Sequence, residues 1–315
     1  MVIGIDLGGM SAKGALLSDG RLEGKSRVVT SASNTAEETA LALARLASET
    51  AEKAGKSMND VQAIGIGSPG VVNGADGTVV LWSNFGWRNV PLAALVRKYT
   101  GKPVFVLNDA NAAALGEAKF GAGKEYRDSL FLTIGTGIGS GVIIDGKLFE
   151  GYRSAGTELG HTVIRQDGEL CSCGRRGCFE RYASASALIR STQDMMRRTP
   201  DSLMWRFAPT VEEADGRTAF AAAGEHDAAA QHVLDDFIAA LGEGIANFVN
   251  IFRPQAVVLG GGVSAEGETL LAPLRAYVYP RLYVSETYAP LDIRCAALGN
   301  DAGLYGAAQY AFERL

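Results

Sequence analysis

The stretch Ser129–Leu148, SLFLTIGTGIGSGVIIDGKL, reads as an apolar run, a glycine turn, a second apolar run and then Asp145-Gly146-Lys147-Leu148. The chain opens on the same succession. Val2–Asp6 is apolar and β-branched, Gly8-Gly9 turns it, Ser11–Leu17 resumes strand character, and Asp19-Gly20-Arg21-Leu22 follows. We read the pair as an internal duplication: two α/β domains, each carrying a strand–glycine turn–strand hairpin. Backbone N–H groups left open by Gly8 and Gly9, and by Gly135 and Gly137 around Thr136, suit phosphate oxygens. Two such turns on one phosphate chain say more than either alone; the plainer alternative is two ordinary hairpins. Neither is a G-x-x-x-x-G-K-[ST] loop. Asp6 ends the first strand, where a carboxylate can hold a hydrated Mg²⁺. Lys13 lies nearby, either as a phosphate partner or as a solvated strand residue.

A second dense signal is Gly156–Arg181, GTELGHTVIRQDGELCSCGRRGCFER, which holds one of three histidines and three of four cysteines. His161, Cys171, Cys173 and Cys178 are the donor set zinc prefers, and four protein ligands leave no open position, so the site would be structural. Gly174 and Gly177 let the loop turn tightly enough to gather the thiolates. Glu158 and His161, three apart, share a face on a helical turn. A zinc-bound imidazole keeps its other nitrogen for a partner, here a substrate hydroxyl; alternatively Glu158 only steadies His161.

Composition narrows the field. A chain of 315 residues can bury one large core or two medium ones. A net charge of −5 with no basic stripe argues against nucleic acid. No signal peptide or membrane-length apolar run is visible, and cysteines clustered at metal spacing fit a reducing cytoplasm, the expected location.

Between these motifs, Thr35–Lys53 has helical spacing with Leu41, Ala42 and Leu46 expected inside, and Val61–Gly67 is a strand running into Ser68-Pro69-Gly70. Ser83-Asn84-Phe85-Gly86-Trp87 is a polar, aromatic loop: Trp87 and Asn84 either meet a sugar, or pack in the core and cap a turn. Pro91–Lys98 is a short helix. Val104–Leu107 is a strand ending in Asn108-Asp109, followed by the helix Ala110–Lys119. Asp109 at that junction is placed as a general base or hydroxyl acceptor, or as a helix cap. Ala183–Arg198 is helical, Thr199–Glu225 is loop with short helices, and His226–Phe252 is a long amphipathic helix suited to core or subunit contact. Ala256–Gly262 is a strand entering Gly260-Gly261-Gly262, a turn a ribose or base could approach. Asp301–Arg314 is a last helix expected to pack on a sheet.

Taken together, IDLGG at Ile5–Gly9, NDANAAALGE at Asn108–Glu117, GTGIGSG at Gly135–Gly141, E-x-x-H followed by C-x-C-G-x-x-G-C at Glu158–Cys178, and LGGGVS at Leu259–Ser264 resemble the ROK family of bacterial sugar kinases and repressors. The resemblance covers nearly the whole chain, and the zinc spacing is its most specific element. It implies the actin-like, hexokinase-like ATPase fold: two duplicated RNase H-like domains around a central cleft, 1–115 plus 300–315 and 116–299. It also implies ATP, Mg²⁺ and a structural Zn²⁺, and a homodimer.

By that resemblance Asp109 takes the proton from a hexose 6-hydroxyl. Gly70, Asn84, Asn108, Glu158, His161 and Glu180 bind the sugar, and zinc sits on His161, Cys171, Cys173 and Cys178. MgATP lies on Asp6, Gly8, Gly9, Lys13, Gly135, Thr136 and Gly137, with adenosine at Gly260, Gly261 and Gly262. The family usually has threonine after the glycine pair; Met10 stands there, so weaker ATP binding or slower turnover is expected. The Gly86–Leu92 loop and the full zinc motif point to the glucokinase and N-acetylhexosamine kinase branch, with glucose first. The alternatives are N-acetylmannosamine, N-acetylglucosamine, allose or a β-glucoside as acceptor, or a non-catalytic sugar-responsive regulator. A repressor would carry a helix-turn-helix domain before the first hairpin, and Asp109 argues for catalysis.

Overall fold

The structure, a computed structural model, describes residues 1–315. It divides into two compact units, one of Met1–Phe131, Gly141–Thr157 and Ala297–Leu315, the other of Leu132–Ser140 and Glu158–Ala296. A boundary at 115/116 would cut the helix Asp109–Phe120, whose hydrogen bonds run unbroken across it.

In the first unit β1 (Val2–Leu7), β2 (Ser11–Ser18) and β3 (Arg21–Val29) form an antiparallel meander. The third strand, which the hairpin pattern does not announce, alternates exposed and half-buried residues and carries no apolar run. Helix α1 (Ala36–Lys53) starts on a capping box: the Thr35 hydroxyl accepts from Glu38 N–H at 3.2 Å, and the Glu38 carboxylate accepts from Thr35 N–H at 2.7 Å. Its inner face is Ala40, Leu43, Leu46 and Ala47, not Leu41 and Ala42, which lie one step around the helix and are half-buried.

Strand β4 (Ala63–Ser68) pairs parallel with β1. A small sheet follows from β5 (Val71–Asn73), β6 (Thr78–Trp82) and β7 (Trp87–Val90). Then come α2 (Leu92–Thr100), β8 (Val104–Asn108) and α3 (Asp109–Phe120), with β8 parallel to β4. The main sheet runs β3-β2-β1-β4-β8. Its apolar side chains, Ile3, Ile5, Leu7, Ile64 and Ile66 among them, are fully buried with Leu43 and Leu46 of α1.

The second sheet is built from β9 (Ser129–Ile134), β10 (Ile138–Ile144), β11 (Lys147–Phe149), β12 (Ala256–Gly260) and β13 (Asp292–Cys295), in the order β11-β10-β9-β12-β13. Numbered within each copy, both sheets run third, second, first, fourth, fifth. The duplication extends to turn chemistry. Asp19 and Gly20 have φ of 48° and 76°, and Asp145 and Gly146 have 53° and 71°, the left-handed pair a two-residue hairpin needs.

Between β11 and β12 lie α4 (Glu180–Ala183), α5 (Ala185–Arg198), α6 (Met204–Phe207), α7 (Thr218–Gly224) and α8 (Ala228–Phe252). The expected helix Ala183–Arg198 is α5, which starts two residues later because the Ser184 hydroxyl caps it by accepting from Ala187 N–H; Ala183 ends the separate short helix α4. Val233, Phe237, Leu241, Ile245 and Phe248 of α8 are buried as the periodicity predicts, against α5, α7 and α9 (Glu268–Val278).

The last helix, α10 (Ala302–Phe312), belongs to the first unit and packs on β1 and β4. Side-chain carbon on Gly4 or Gly65 would overlap the carbonyl of Leu304 or Ala307, so glycine is what lets the helix reach the sheet. No helix is long and apolar enough to cross a membrane.

Candidate active site and metal centre

The first unit assembles two carboxylates. Asp6 on β1 stands opposite Lys13 on β2. Burial pushes its pKa up, the Lys13 ammonium pulls it down, and the Asp109 charge raises it further. Asp109 is the first residue of α3; burial raises its pKa, opposed by hydrogen bonds from the Ala110 N–H, its own N–H and Asn108. Asp109 is not the helix cap. That task falls to Asn108, whose Oδ1 accepts from Ala110 N–H at 2.9 Å and Asn111 N–H at 3.1 Å. The Asn108 amide donates to the Gly70 carbonyl at 3.1 Å, which joins the Pro69-Gly70 turn to the start of α3. Gly70 has φ 86°, and a Cβ there would overlap the Leu81 carbonyl.

The glycine turn of this unit is closed by Gly8 N–H donating to the Ser11 carbonyl at 2.9 Å. Thr30, at the end of β3, holds it from behind: its hydroxyl donates to the Gly8 carbonyl at 2.8 Å and its N–H to the Met10 carbonyl. Met10 is 83 % exposed and supports nothing in the core. Of the aromatic loop, Trp87 takes the core alternative: it is 5 % exposed, set edge-on to Trp82 and Phe85 at 5.2 and 5.5 Å between ring centroids. Asn84 stays exposed on the single 3₁₀ turn Ser83–Phe85.

The second unit brings together the remaining residues. Gly135 N–H donates to the Gly137 carbonyl at 3.0 Å, which leaves Thr136 exposed at the tip of the turn. Gly260 ends β12, Gly261 has φ 87°, and a Cβ on Gly261 would overlap the Ile134 carbonyl of β9. The two glycine turns of this unit are therefore neighbours. Glu158 precedes a 3₁₀ turn, Leu159–His161, in which His161 N–H donates to the Glu158 carbonyl, so the spacing of three places both on one turn.

The ligand atoms of His161, Cys171, Cys173 and Cys178 all lie within 4.8 Å of one another. Cys173 and Cys178 sulfurs are 3.6 Å apart, and Cys171 Sγ is 3.7 Å from His161 Nδ1. Zn–S bonds of about 2.3 Å in a tetrahedron give edges of about 3.8 Å, which these two distances match; the longest separation in the set, up to 4.8 Å, would have to shorten for the residues to hold the ion. The histidine offers Nδ1, which leaves Nε2 free. Gly174 and Gly177, at φ 87° and 80°, make the turns the loop needs. Burial and the neighbouring thiols push Cys178 up to about 12, so its proton must leave on metal binding. Glu180 sits against the same cluster, Oε1 3.1 Å from Cys171 Sγ and 3.6 Å from His161 Nδ1.

Two features escaped the sequence reading. Glu117 is buried, and its carboxylate accepts from the N–H groups of Ala122, Ala297 and Leu298 at 2.8 to 3.1 Å, which ties the end of α3 to the approach to α10. An acidic residue on a helix otherwise lined with alanine was the available signal. The approach to Glu158 is strained: Arg153, Ser154 and Thr157 have φ of 54°, 55° and 62°. No sequence pattern marks this, because none of the three is glycine.

The ROK family model matches residues 2–314. The chain is 38 % identical to a glucokinase of Thermotoga maritima over 100 % of its own length and 98 % of the relative's. The crystal structure of a ROK family glucokinase from Streptomyces griseus, in complex with glucose and AMPPNP, superimposes with a TM-score of 0.82 at 36 % identity over 99 % of both chains. A ROK hexokinase from Thermus thermophilus gives 0.80 at 34 % identity over 99 % of this chain and 98 % of the other. The actin-like, hexokinase-like fold and the ordered motifs agree with these likenesses, and the chain belongs to the ROK family.

Proposed function

We propose that this protein transfers the γ-phosphoryl group of ATP to the 6-hydroxyl of glucose. The chain is an ATP-dependent sugar kinase, and glucose is favoured because full-length relatives at 36 to 38 % identity are glucokinases. The observation that carries the chemistry is Asp109: a buried carboxylate at a strand–helix junction, relieved of capping by Asn108, with its pKa raised toward that of a useful base.

In this reading Asp109 accepts the 6-hydroxyl proton as the oxygen attacks. Asn108, through an amide already fixed on Gly70, orients the acceptor, with Asn84 as an outer helper. Glu158, Glu180 and His161 Nε2 bind the remaining hydroxyls. The Gly8-Gly9 and Gly135–Gly137 turns hold the phosphates through the N–H groups of Gly9, Thr136 and Gly137, since the Gly8 and Gly135 N–H groups close the turns themselves, and Gly260–Gly262 holds the adenosine. Asp6 and Lys13 face the metal–phosphate end. Bound Mg²⁺ supplies charge neutralisation for a transfer that otherwise depends on positioning. His161, Cys171, Cys173 and Cys178 would hold Zn²⁺, which keeps the His161 ring fixed. The protein would act as a homodimer in the cytoplasm, its domain boundary lying after α3 rather than within it.

The test is ADP release from MgATP, coupled to a spectroscopic readout, against glucose, mannose, fructose, N-acetylglucosamine, N-acetylmannosamine, allose and cellobiose. The expected result is highest kcat/KM for glucose. A different winner replaces glucose as acceptor, and no turnover with any sugar overturns the kinase reading.

A further inference from the structure

The second glycine turn is held by the segment that carries the Cys/His cluster. Four observations within one unit make the link. Leu159 N–H, two residues before His161, donates to the Ser140 hydroxyl on β10 at 3.1 Å, in a buried bond. Gly160 packs so close to the Ile138 carbonyl of β10 that a Cβ would overlap it. Ala185 N–H, just past α4, donates to the Gly135 carbonyl at 2.9 Å. Glu180 opens α4 with Oε1 on Cys171 and His161, and its Oε2 fills the space a Cβ on Gly137 would need. Phe179, fully buried against Phe248 and Gly244 of α8, fixes this helix in place.

We infer that Gly137 and Glu180 couple the phosphate turn to the hexose site, so that binding at either site alters affinity at the other through α4 and the Leu159–His161 segment packed on β10. The inference rests on the proposed roles of Glu180 and the Gly135–Gly137 turn. Glycine at 137 then has a second reason beyond access to phosphate: it leaves room for the Glu180 carboxylate. The atom that a Cβ would strike is the far end of a flexible side chain. Gly137→Ala should therefore leave the fold standing and move Glu180. Coupling between two ligands is reciprocal, so the change that either ligand makes in the other's affinity reports on the link.

The experiment is calorimetric titration of the full, zinc-loaded chain with glucose, without and with saturating MgAMPPNP, and with MgAMPPNP, without and with saturating glucose; each ligand is expected to change the other's affinity by the same factor, and no change overturns the inference. Gly137→Ala is expected to weaken glucose binding about tenfold with no nucleotide present, and to have no further effect in a Glu180→Ala background. A loss that persists undiminished in that background would show a general structural defect and overturn the inference, as would unchanged glucose affinity. The second arm does not depend on the sugar. Cys173→Ser, checked for retained circular dichroism and for lost zinc, is expected to weaken MgAMPPNP binding about tenfold; unchanged nucleotide affinity overturns the link. Failure of the unaltered protein to bind glucose would count against the proposed acceptor, while the nucleotide arm still tests the coupling.

Discussion

The two glycine hairpins descend from one pattern and are held in different ways. The first is braced by its own meander: Thr30, at the end of the third strand, fastens the carbonyls of Gly8 and Met10. The second is braced by a later insertion, with Ala185 and Glu180 closing on Gly135 and Gly137. The first copy kept the acids, Asp6 beside its turn and Asp109 behind it. The second acquired the soft-ligand cluster and, in the proposed function, most of the hydroxyl partners. Duplication supplies two equivalent glycine turns; in the proposed function, what surrounds each turn decides which is tied to proton chemistry and which to sugar recognition.

The sharpest break in this comparison is Asp109→Asn. Loss of a general base should lower kcat by about 10³-fold while glucose affinity in calorimetry stays within a few fold. Turnover near the original would remove Asp109 from the base role. The same substitution should raise Tm at neutral pH. A carboxylate whose folded pKa is raised contributes stability below its unfolded pKa and loses it as pH rises through the folded one, so the buried, ionised Asp109 is a burden at pH 7 that the amide lacks. A lower Tm would contradict that sign.

Next is the pH profile. As pH falls through the raised pKa of the Asp109–Asp6 pair, kcat/KM should drop about tenfold per unit, with the acid limb above the usual carboxylate range. A limb within the ordinary aspartate range would mean that the burial seen in the first unit does not persist in the working enzyme. On the side of the second turn, Cys173→Ser should lose zinc and about tenfold in glucose affinity together; metal loss with normal sugar kinetics would separate the cluster from the hexose site.

Glu117→Gln leaves one acceptor oxygen where two now serve three backbone donors, and should cost about 2 kcal/mol in chemical denaturation, with KM values little changed. The smallest effect is expected at Met10. Since Met10 is solvent-exposed, Met10→Thr adds a hydroxyl to the first turn without disturbing packing, and KM for ATP should fall about threefold. If neither kcat nor KM moved, the departure from the usual threonine would be without consequence.

Local chemistry made much of this legible. The glycine turns, the Asn108-Asp109 junction and the cysteine spacing are short-range patterns, and residues close in sequence are forced close in space. Strand β3 and the short helix α4 are not legible because the first alternates exposed and half-buried residues and the second is a single turn of four residues, too short for a periodic pattern. On α1 Leu46 is buried as expected, while Leu41 and Ala42 lie one step off the inner face, because leucine and alanine occur on neighbouring faces of the helix alike.

The sequence by itself determined the duplication, the clustering of His161, Cys171, Cys173 and Cys178, and the choice of glycine at each turn, since these follow from periodicity, donor spacing and backbone freedom. Only the tertiary structure decided that Asn108 rather than Asp109 caps α3, that Trp87 belongs to the core, that Glu117 holds two loops, and that Glu180 occupies the space beside Gly137. Each of these depends on which distant groups arrive at the same place, and burial, hydrogen-bond competition and steric exclusion are settled there rather than along the chain.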